Sequence, residues 1–175
     1  MSTEFSFDHT FRAPNPATIF NAYFDADHLA TQDKLAELGE REVVESKDDG
    51  KVWKCVWKVV SLKPLPAIAR PFVEGGRLRY LEQMTWRREA NEVDLVVTPQ
   101  ILGGRVSLSA TYLLTQKGEN QVHRRYKGSI NVSIPLLSGK IERGILAELE
   151  KAMPMMGECT QGWLDRNPQK HAPAP

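Results

Sequence analysis

The chain has 175 residues, a formal net charge of +1, 41% hydrophobic residues and 26% charged residues, which favours one globular domain and gives no general signal for nucleic acid or a membrane surface. Its two cysteines, Cys55 and Cys159, are too few for a disulfide framework and lack metal-ligand spacing. Because the N-terminus has no leader pattern and no apolar run is long enough to span a membrane, we expect a cytoplasmic protein with no transmembrane segment.

The first forty residues read as one strand followed by two short helices. Residues 3–12 alternate between apolar and polar side chains, which is typical of a half-buried strand. Asn15 followed by a proline predicts the start of a helix. Asp25 or Asp27 is then expected to cap a second helix, and Gly39 suits the position just after its end.

The middle of the chain reads as β structure punctuated by turn residues. We predict six strands, at residues 40–48, 51–62, 77–89, 92–101, 105–117 and 121–134. Short connections between most of them indicate antiparallel neighbours. The long connection, 63–76, is expected either to gate a site, a role for which the short second helix is the alternative, or merely to cover an edge of the sheet.

A long helix follows Pro135-Leu136-Leu137, beginning near Ser138 and ending at about Arg166. Its apolar stripe at helical spacing is expected to pack inward: Ile141, Ile145, Leu149, Ala152, Met153, Met156, Cys159 and Trp163. Pro154 should bend the helix, because proline cannot donate to the carbonyl one turn earlier. We therefore predict a single domain over residues 1–166 and a disordered tail over 167–175.

Three polar residues fall on strand faces that are otherwise apolar: His9, Glu82 and Arg124. Burying a charge without a partner is costly. Glu82 and Arg124 therefore pair with each other, lie at a rim, or line a pocket that holds water or the polar head of a ligand. His9 can also be read as a hydrogen-bonded core histidine.

Motifs of common active sites are missing from the sequence, including phosphate loops, nucleotide-binding glycine patterns and zinc-ligand spacings. We predict no metal site, no cofactor and no catalytic residue. Basic residues on the outward strand faces, such as Arg87, Arg88 and Arg125, could bind RNA or an acidic partner, but a solvated strand face explains them as well. Nucleic-acid binding is therefore not expected.

Two segments resemble a known superfamily. One is Phe7-x-His9-x-Phe11-x-Ala13-Pro14 leading into Ile19-Phe20-x-Ala22-Tyr23 and Asp27-His28-Leu29; the other is Val132-x-Ile134-Pro135-Leu136-Leu137-Ser138-Gly139-Lys140-Ile141-Glu142. With the order of elements, they resemble the START-like superfamily, which includes birch-pollen-allergen-like proteins and polyketide cyclases, and in particular an uncharacterised bacterial branch. The resemblance implies an α+β helix-grip fold: a curved antiparallel sheet of about seven strands, two short helices after strand 1 and a long C-terminal helix. It also implies a hydrophobic cavity, but no catalytic motif.

The favoured hypothesis is binding or transport of a small hydrophobic ligand, such as a lipid, a sterol or a polyketide-like molecule, between the sheet and the last helix. The alternatives are an aromatase- or cyclase-type enzyme in the same cavity, with His9 or Glu82 as acid or base, and a protein or RNA interaction module. The residues expected to contact a ligand are Trp57, Tyr80, Glu82, Trp86, Tyr112, Arg124, Met153, Met156 and His9. The oligomeric state is left open by the sequence.

Overall fold

The computed structural model describes residues 2–39, 41–64, 67, 70–101 and 104–168. Its strands are β1 (Ser2–Phe11), β2 (Glu42–Asp48), β3 (Val52–Val60), β4 (Arg79–Arg87), β5 (Glu92–Pro99), β6 (Val106–Gly118) and β7 (Gln121–Val132). Its α-helices are α1 (Pro16–Phe24), α2 (Ala26–Leu35) and α3 (Ser138–Arg166), and two short 3-10 turns, Arg70–Phe72 and Glu74–Gly76, precede β4.

The strands form one antiparallel sheet in the order β1-β7-β6-β5-β4-β3-β2. The curved sheet and the long C-terminal helix confirm the predicted helix-grip fold. Helix α3 contacts β1 and β7, α1 contacts β6, and α2 contacts both of these helices, so the three helices pack together on the inward face of the sheet. The alternation of side chains along each strand therefore separates a buried face from an outer one.

The beginnings of α1 and α2 follow the capping residues that the sequence predicts. The side chain of Asn15 accepts from the Thr18 N–H, and Asp25 accepts from the backbone N–H groups of Asp27 and His28. The end of α2 differs from the prediction. Helix α2 stops at Leu35, and the left-handed residue after it is Glu37, with φ of 56°, rather than Gly39. The glycine instead donates its N–H to the carbonyl of Val60 at 2.8 Å, which joins this turn to β3.

Gly128 marks a close approach between β6 and β7. A Cβ atom at this position would lie 2.2 Å from the carbonyl oxygen of Ser109 and 2.7 Å from the Cα atom of Ala110. No side chain could be accommodated without moving the β6 backbone, since real Cβ contacts are not this short. Glycine in a strand interior often marks such a site.

The beginning of α3 is attached to the sheet through a buried carboxylate. Glu142 accepts from the Thr3 hydroxyl of β1 at 2.7 Å and from the Val132 N–H of β7 at 3.1 Å. Its side chain satisfies a buried backbone donor that the end of β7 leaves unpaired. The Gly-Lys-Ile-Glu passage of the sequence thus has a structural role at this position.

Only part of the predicted apolar stripe of α3 is fully buried. Met153 and Trp163 are buried, but Gly157, Thr160 and Leu164 complete the buried face of the C-terminal half. The N-terminal half is half-buried at Ile141, Ile145, Leu146 and Leu149, which pack against the core. Pro154 lies inside the helix, and the bend predicted there stays a prediction.

The predicted disordered tail, 167–175, lies outside the described residues apart from Asn167 and Pro168. Asn167 ends α3, and its side chain donates to the carbonyl of Trp163 at 2.8 Å. Within the part of the chain that the structure describes, no helix combines the length and apolar character that crossing a membrane requires.

We predict that Glu142→Ala destabilises the protein by about 1–3 kcal/mol, because it leaves the buried Val132 N–H without an acceptor. Glu142→Gln retains an acceptor oxygen and should cost less. Glu150→Ala, at an exposed position of the same helix, is the matched control and should lie within about 0.5 kcal/mol of the parent. Urea unfolding provides the free energies, and equal effects of Glu142→Ala and Glu150→Ala would contradict the anchoring role.

Candidate functional site

A cavity of about 160 Å³ lies between the inward face of the sheet and the helices α2 and α3. Its walls come from α1, α2, the turn after α2, strands β4 to β7 and α3. The lining residues are Tyr23, Leu29, Gln32, Asp33, Ala36, Leu38, Arg41, Glu82, Met84, Leu95, Tyr112, Arg124 and Met156. The only charged groups among them are Asp33, Glu82, Arg41 and Arg124.

The structure brings four of the predicted ligand contacts together in this wall: Glu82, Tyr112, Arg124 and Met156. The other predicted contacts do not line the cavity. Trp57, Trp86 and Met153 are buried in the hydrophobic core, and Tyr80 is half-buried and packs against it. Burial and then the nearby charge of Glu82 raise the pKa of Tyr80, so its hydroxyl stays protonated at neutral pH.

Arg41 joins α2 to the sheet at one side of the cavity. Its Nε and Nη2 atoms donate to the two oxygens of Asp33 at 2.7 and 2.8 Å, and its Nη1 donates to Glu82 at 2.8 Å. The guanidinium also lies 5.5 Å from the ring centre of Trp57. Although burial opposes it, the charges of Glu82 and Asp33 raise the pKa of Arg41. We call these three residues the Arg41 clamp.

Arg124, unlike Arg41, has no carboxylate partner among the described residues. It is 2% exposed, and its Nη1 atom donates to the Tyr23 hydroxyl at 2.9 Å. Its guanidinium lies 5.3 Å from the ring centre of Phe11 and 5.7 Å from that of Tyr112. Its Nε atom has no hydrogen-bond partner among the described residues. Of the three alternatives for Glu82 and Arg124, the pair with each other is not formed, because Glu82 belongs to the Arg41 clamp, and both residues line the cavity.

His9 packs against α3 rather than lining the cavity. A Cβ atom on Gly157 would lie 2.7 to 3.0 Å from three atoms of the His9 ring, so the imidazole rests on the bare helix backbone. The ring also lies 4.5 Å from that of Phe11, between ring centres. Burial and, to a smaller extent, the charge of Arg124 lower the pKa of His9, so the neutral form is favoured.

A fully buried histidine, His28, was not among the predicted site residues. Its Nε2 atom lies 3.1 Å from the Thr160 hydroxyl. Because that hydroxyl donates to the carbonyl of Met156, it accepts from His28 and from Gln32, which lines the cavity. Burial lowers the pKa of His28 to about 4, so the ring is neutral at pH 7.

A larger hollow of about 750 Å³ lies on the outer face of β1, β5, β6 and β7. It is an open groove, and its walls include charged residues of both signs: Glu4, Asp8, Asp94, Arg125 and Lys127. Asp8 and Asp94 already form ion pairs with neighbouring arginines. The smaller inner cavity is therefore the better candidate site, because it is less open to solvent than the groove and is lined by a buried cation, Arg124.

Sequence reasoning missed the residues that α2 and the following turn contribute, chiefly Leu29, Gln32, Asp33 and Arg41. The α2 sequence has weak amphipathic character, so Gln32 and Asp33 resemble a solvated helix face. Leu29, which is apolar and follows a clear N-cap, was the one available signal that this helix has a buried side.

Gly157→Ala should destabilise the protein by about 1–3 kcal/mol, because the new Cβ atom overlaps the His9 ring. Gly144→Ala is the matched control, since a Cβ atom there meets nothing within 4 Å and alanine favours a helix by up to about 1 kcal/mol. Combining His9→Ala with Gly157→Ala should recover part of the loss. The free energies come from urea unfolding, and a stabilised Gly157→Ala variant would exclude the close contact.

Stability should fall as the pH is lowered from 7.5 to 4.5, in part because His28 takes up a proton on unfolding. Its folded pKa of about 4 lies below the unfolded value of 6.5, so the neutral ring stabilises the folded state most above pH 6.5. His28 should contribute about 2–3 kcal/mol to the decline. In His28→Gln the decline in unfolding free energy should be smaller by that amount; an unchanged decline would contradict a buried neutral histidine.

The sequence and the fold were compared with known proteins. The family described as "Protein of unknown function (DUF2505)" matches residues 6–164, whereas the search of curated proteins found no match. Among solved structures, Ara h 8.0201 aligns with a TM-score of 0.65 at 13% identity, covering 95% of this chain and 100% of that protein. The Zhui aromatase/cyclase from Streptomyces sp. R1128 aligns with a TM-score of 0.62 at 10% identity, covering 95% and 96%.

A START superfamily protein from Mycobacterium smegmatis also aligns, with a TM-score of 0.58 at 9% identity, over 93% of this chain and 97% of that one. Identities this low establish the fold and not the activity. The shared fold confirms the predicted resemblance to the START-like superfamily. The chain has the START-like helix-grip fold, and it belongs to the family described as "Protein of unknown function (DUF2505)".

Proposed function

We propose that this protein binds a small hydrophobic ligand in the cavity between the sheet, α2 and α3. The single observation that carries the proposal is a partly enclosed, largely apolar space that is lined by one buried cation, Arg124, with no carboxylate partner among the described residues. Ligand sites characteristically combine apolar walls with a few placed polar groups. A core that served packing alone would have no use for an unpaired charge at this position.

Affinity would come from apolar contact with the walls. Leu29, Met84, Leu95 and Met156 supply aliphatic and thioether surface, and Tyr112 supplies an aromatic face stacked on Tyr126, with ring centres 4.3 Å apart. Methionine side chains adapt to irregular ligand shapes. The core residues that do not line the cavity would support this wall by packing: Trp57, Tyr80, Trp86 and Met153.

The size of the cavity restricts the ligand. Pockets for drug-sized molecules measure about 300–1,000 Å³, so about 160 Å³ suits a compact molecule. A lipid or a sterol would require α2 to move away from the sheet. Helix α2 would then be the gate, and the Arg41 clamp would hold it closed through Asp33 and Glu82.

The same cavity supports a second candidate, an enzyme of the aromatase or cyclase type. Its support is the fold shared with the Zhui aromatase/cyclase and the presence of Glu82 in the cavity wall. Of the two acid–base groups that the sequence suggested, only Glu82 has access to a ligand, because His9 rests on Gly157. Glu82 is, however, engaged by Arg41, so binding is the better-supported function.

The direct test is native mass spectrometry of the protein purified from its source under non-denaturing conditions. We expect a bound small molecule that is released on unfolding. If the native mass equals that of the polypeptide, and if no compact apolar compound raises the melting temperature, the proposal is wrong.

A substitution that fills the cavity should abolish binding. Ala36 lines the cavity, so Ala36→Leu is expected to weaken the binding of a neutral apolar probe, indole, by at least about tenfold, because the added carbons occupy the ligand's space. Ala30→Leu, at an exposed position of α2, is the matched control and should bind like the parent. Ligand-observed NMR gives the affinities; equal affinities for the two variants would place the probe elsewhere.

A further inference from the structure

We propose that the ligand is a compact monocarboxylic acid whose carboxylate binds Arg124. This inference rests on the proposed function and names the chemical class of the molecule that occupies the cavity. Its basis is the contrast between two arginines that line the same space: among the described residues, Arg41 has two carboxylate partners, whereas the hydrogen-bond partner of Arg124 is a phenol.

The charge of Arg124 cannot be removed by deprotonation, because a guanidinium stays protonated in proteins. Of the N–H groups in its fork, one donates to Tyr23, and Nε has no partner among the described residues. Flanking contact with Phe11 and Tyr112 lessens the cost of burying the cation, since aromatic faces attract it. It does not satisfy the Nε donor, so an acceptor within reach of the guanidinium would lower the cost of burying the cation.

No carboxylate of the cavity wall is free to supply that acceptor. Both oxygens of Asp33 accept from Arg41, and Glu82 accepts from the same guanidinium. The Arg41 clamp thus carries one negative charge in excess on its side of the cavity, and Arg124 carries one positive charge. A ligand with one negative group is attracted to Arg124, whereas a second negative group would approach Asp33 and Glu82 unfavourably.

A carboxylate is the anion whose planar, two-oxygen shape best matches a guanidinium fork. The remainder of the ligand must be apolar and compact, because the other walls are formed by Leu29, Met84, Leu95 and Met156 within about 160 Å³. Aromatic or short branched-chain acids fit this description. Tyr112, stacked on Tyr126, would provide a flat face for an aromatic ring.

Matched acid and amide probes test the inference: benzoate against benzamide, phenylacetate against phenylacetamide, and 4-methylpentanoate against its amide. Each pair has nearly the same shape and differs by the negative charge. At pH 7 we expect the parent protein to bind at least one acid at least about tenfold more tightly than its amide, as measured by ligand-observed NMR. Hydrogen bonds to a charged partner are strong enough to produce this ratio.

Three variants separate recognition from a structural role of Arg124. In Arg124→Met the acid-to-amide ratio should fall close to one, and in Arg124→Lys it should be intermediate. Tyr23→Phe, which removes the hydroxyl but keeps the charge, should retain the preference for the acid. The melting temperature of unliganded Arg124→Met should not fall markedly, because replacing a buried unpaired charge by an apolar side chain is often neutral or stabilising.

The possible failures are distinguishable. If amides bind as tightly as acids, or if Arg124→Met keeps the parent ratio, the carboxylate assignment is wrong while ligand binding itself stands. A marked loss of stability in Arg124→Met with an unchanged ratio would make Arg124 a structural residue. If none of the acids, the amides or indole binds, the proposed function fails and the assignment fails with it.

Discussion

The position of α3 over the inward face of the sheet is the constraint on which the rest of the structure depends. Glu142 attaches the first turns of the helix to β1 and β7, and Gly157 lets the helix backbone approach the His9 ring. Near its end, the Gln161 side chain accepts from the backbone N–H of Arg12 and donates to the Arg12 carbonyl. These polar and steric contacts determine how far the helix lies from the sheet, and hence that a space remains beside Met156.

Two arginines next to that space have different surroundings. Arg41 is neutralised by two carboxylates and is therefore a structural cation that holds α2 against β4. Arg124 is surrounded by rings and one phenol, so its charge is tolerated rather than satisfied. Natural proteins often give up stability where a site needs a polar group prepared for a ligand. The same residue type thus holds two elements together in one wall and, in the site that we propose, would bind the ligand in the other.

From the sequence we could predict which strand residues point inward, but not which of them line the cavity. Strand alternation correctly placed Glu82, Tyr112 and Arg124 on the inward face, because side chains on a strand alternate strictly. It could not tell which inward residues would face an empty space. Trp57 and Trp86 share that face but are buried in the core, since Phe24 stacks over Trp86 with ring centres 5.9 Å apart. That distinction depends on what the helices cover.

By itself, the sequence determined the order of elements, the antiparallel pairing of neighbours and the inward face of each strand, because these follow from local periodicity, caps and short turns. Only the tertiary structure decided the partners of the charged residues. Asp33, Arg41 and Glu82 meet although they belong to a helix, a turn and a strand. Among the described residues Arg124 has no carboxylate partner for the same reason: Arg41 engages Glu82, and such a long-range contact leaves no local pattern in the chain.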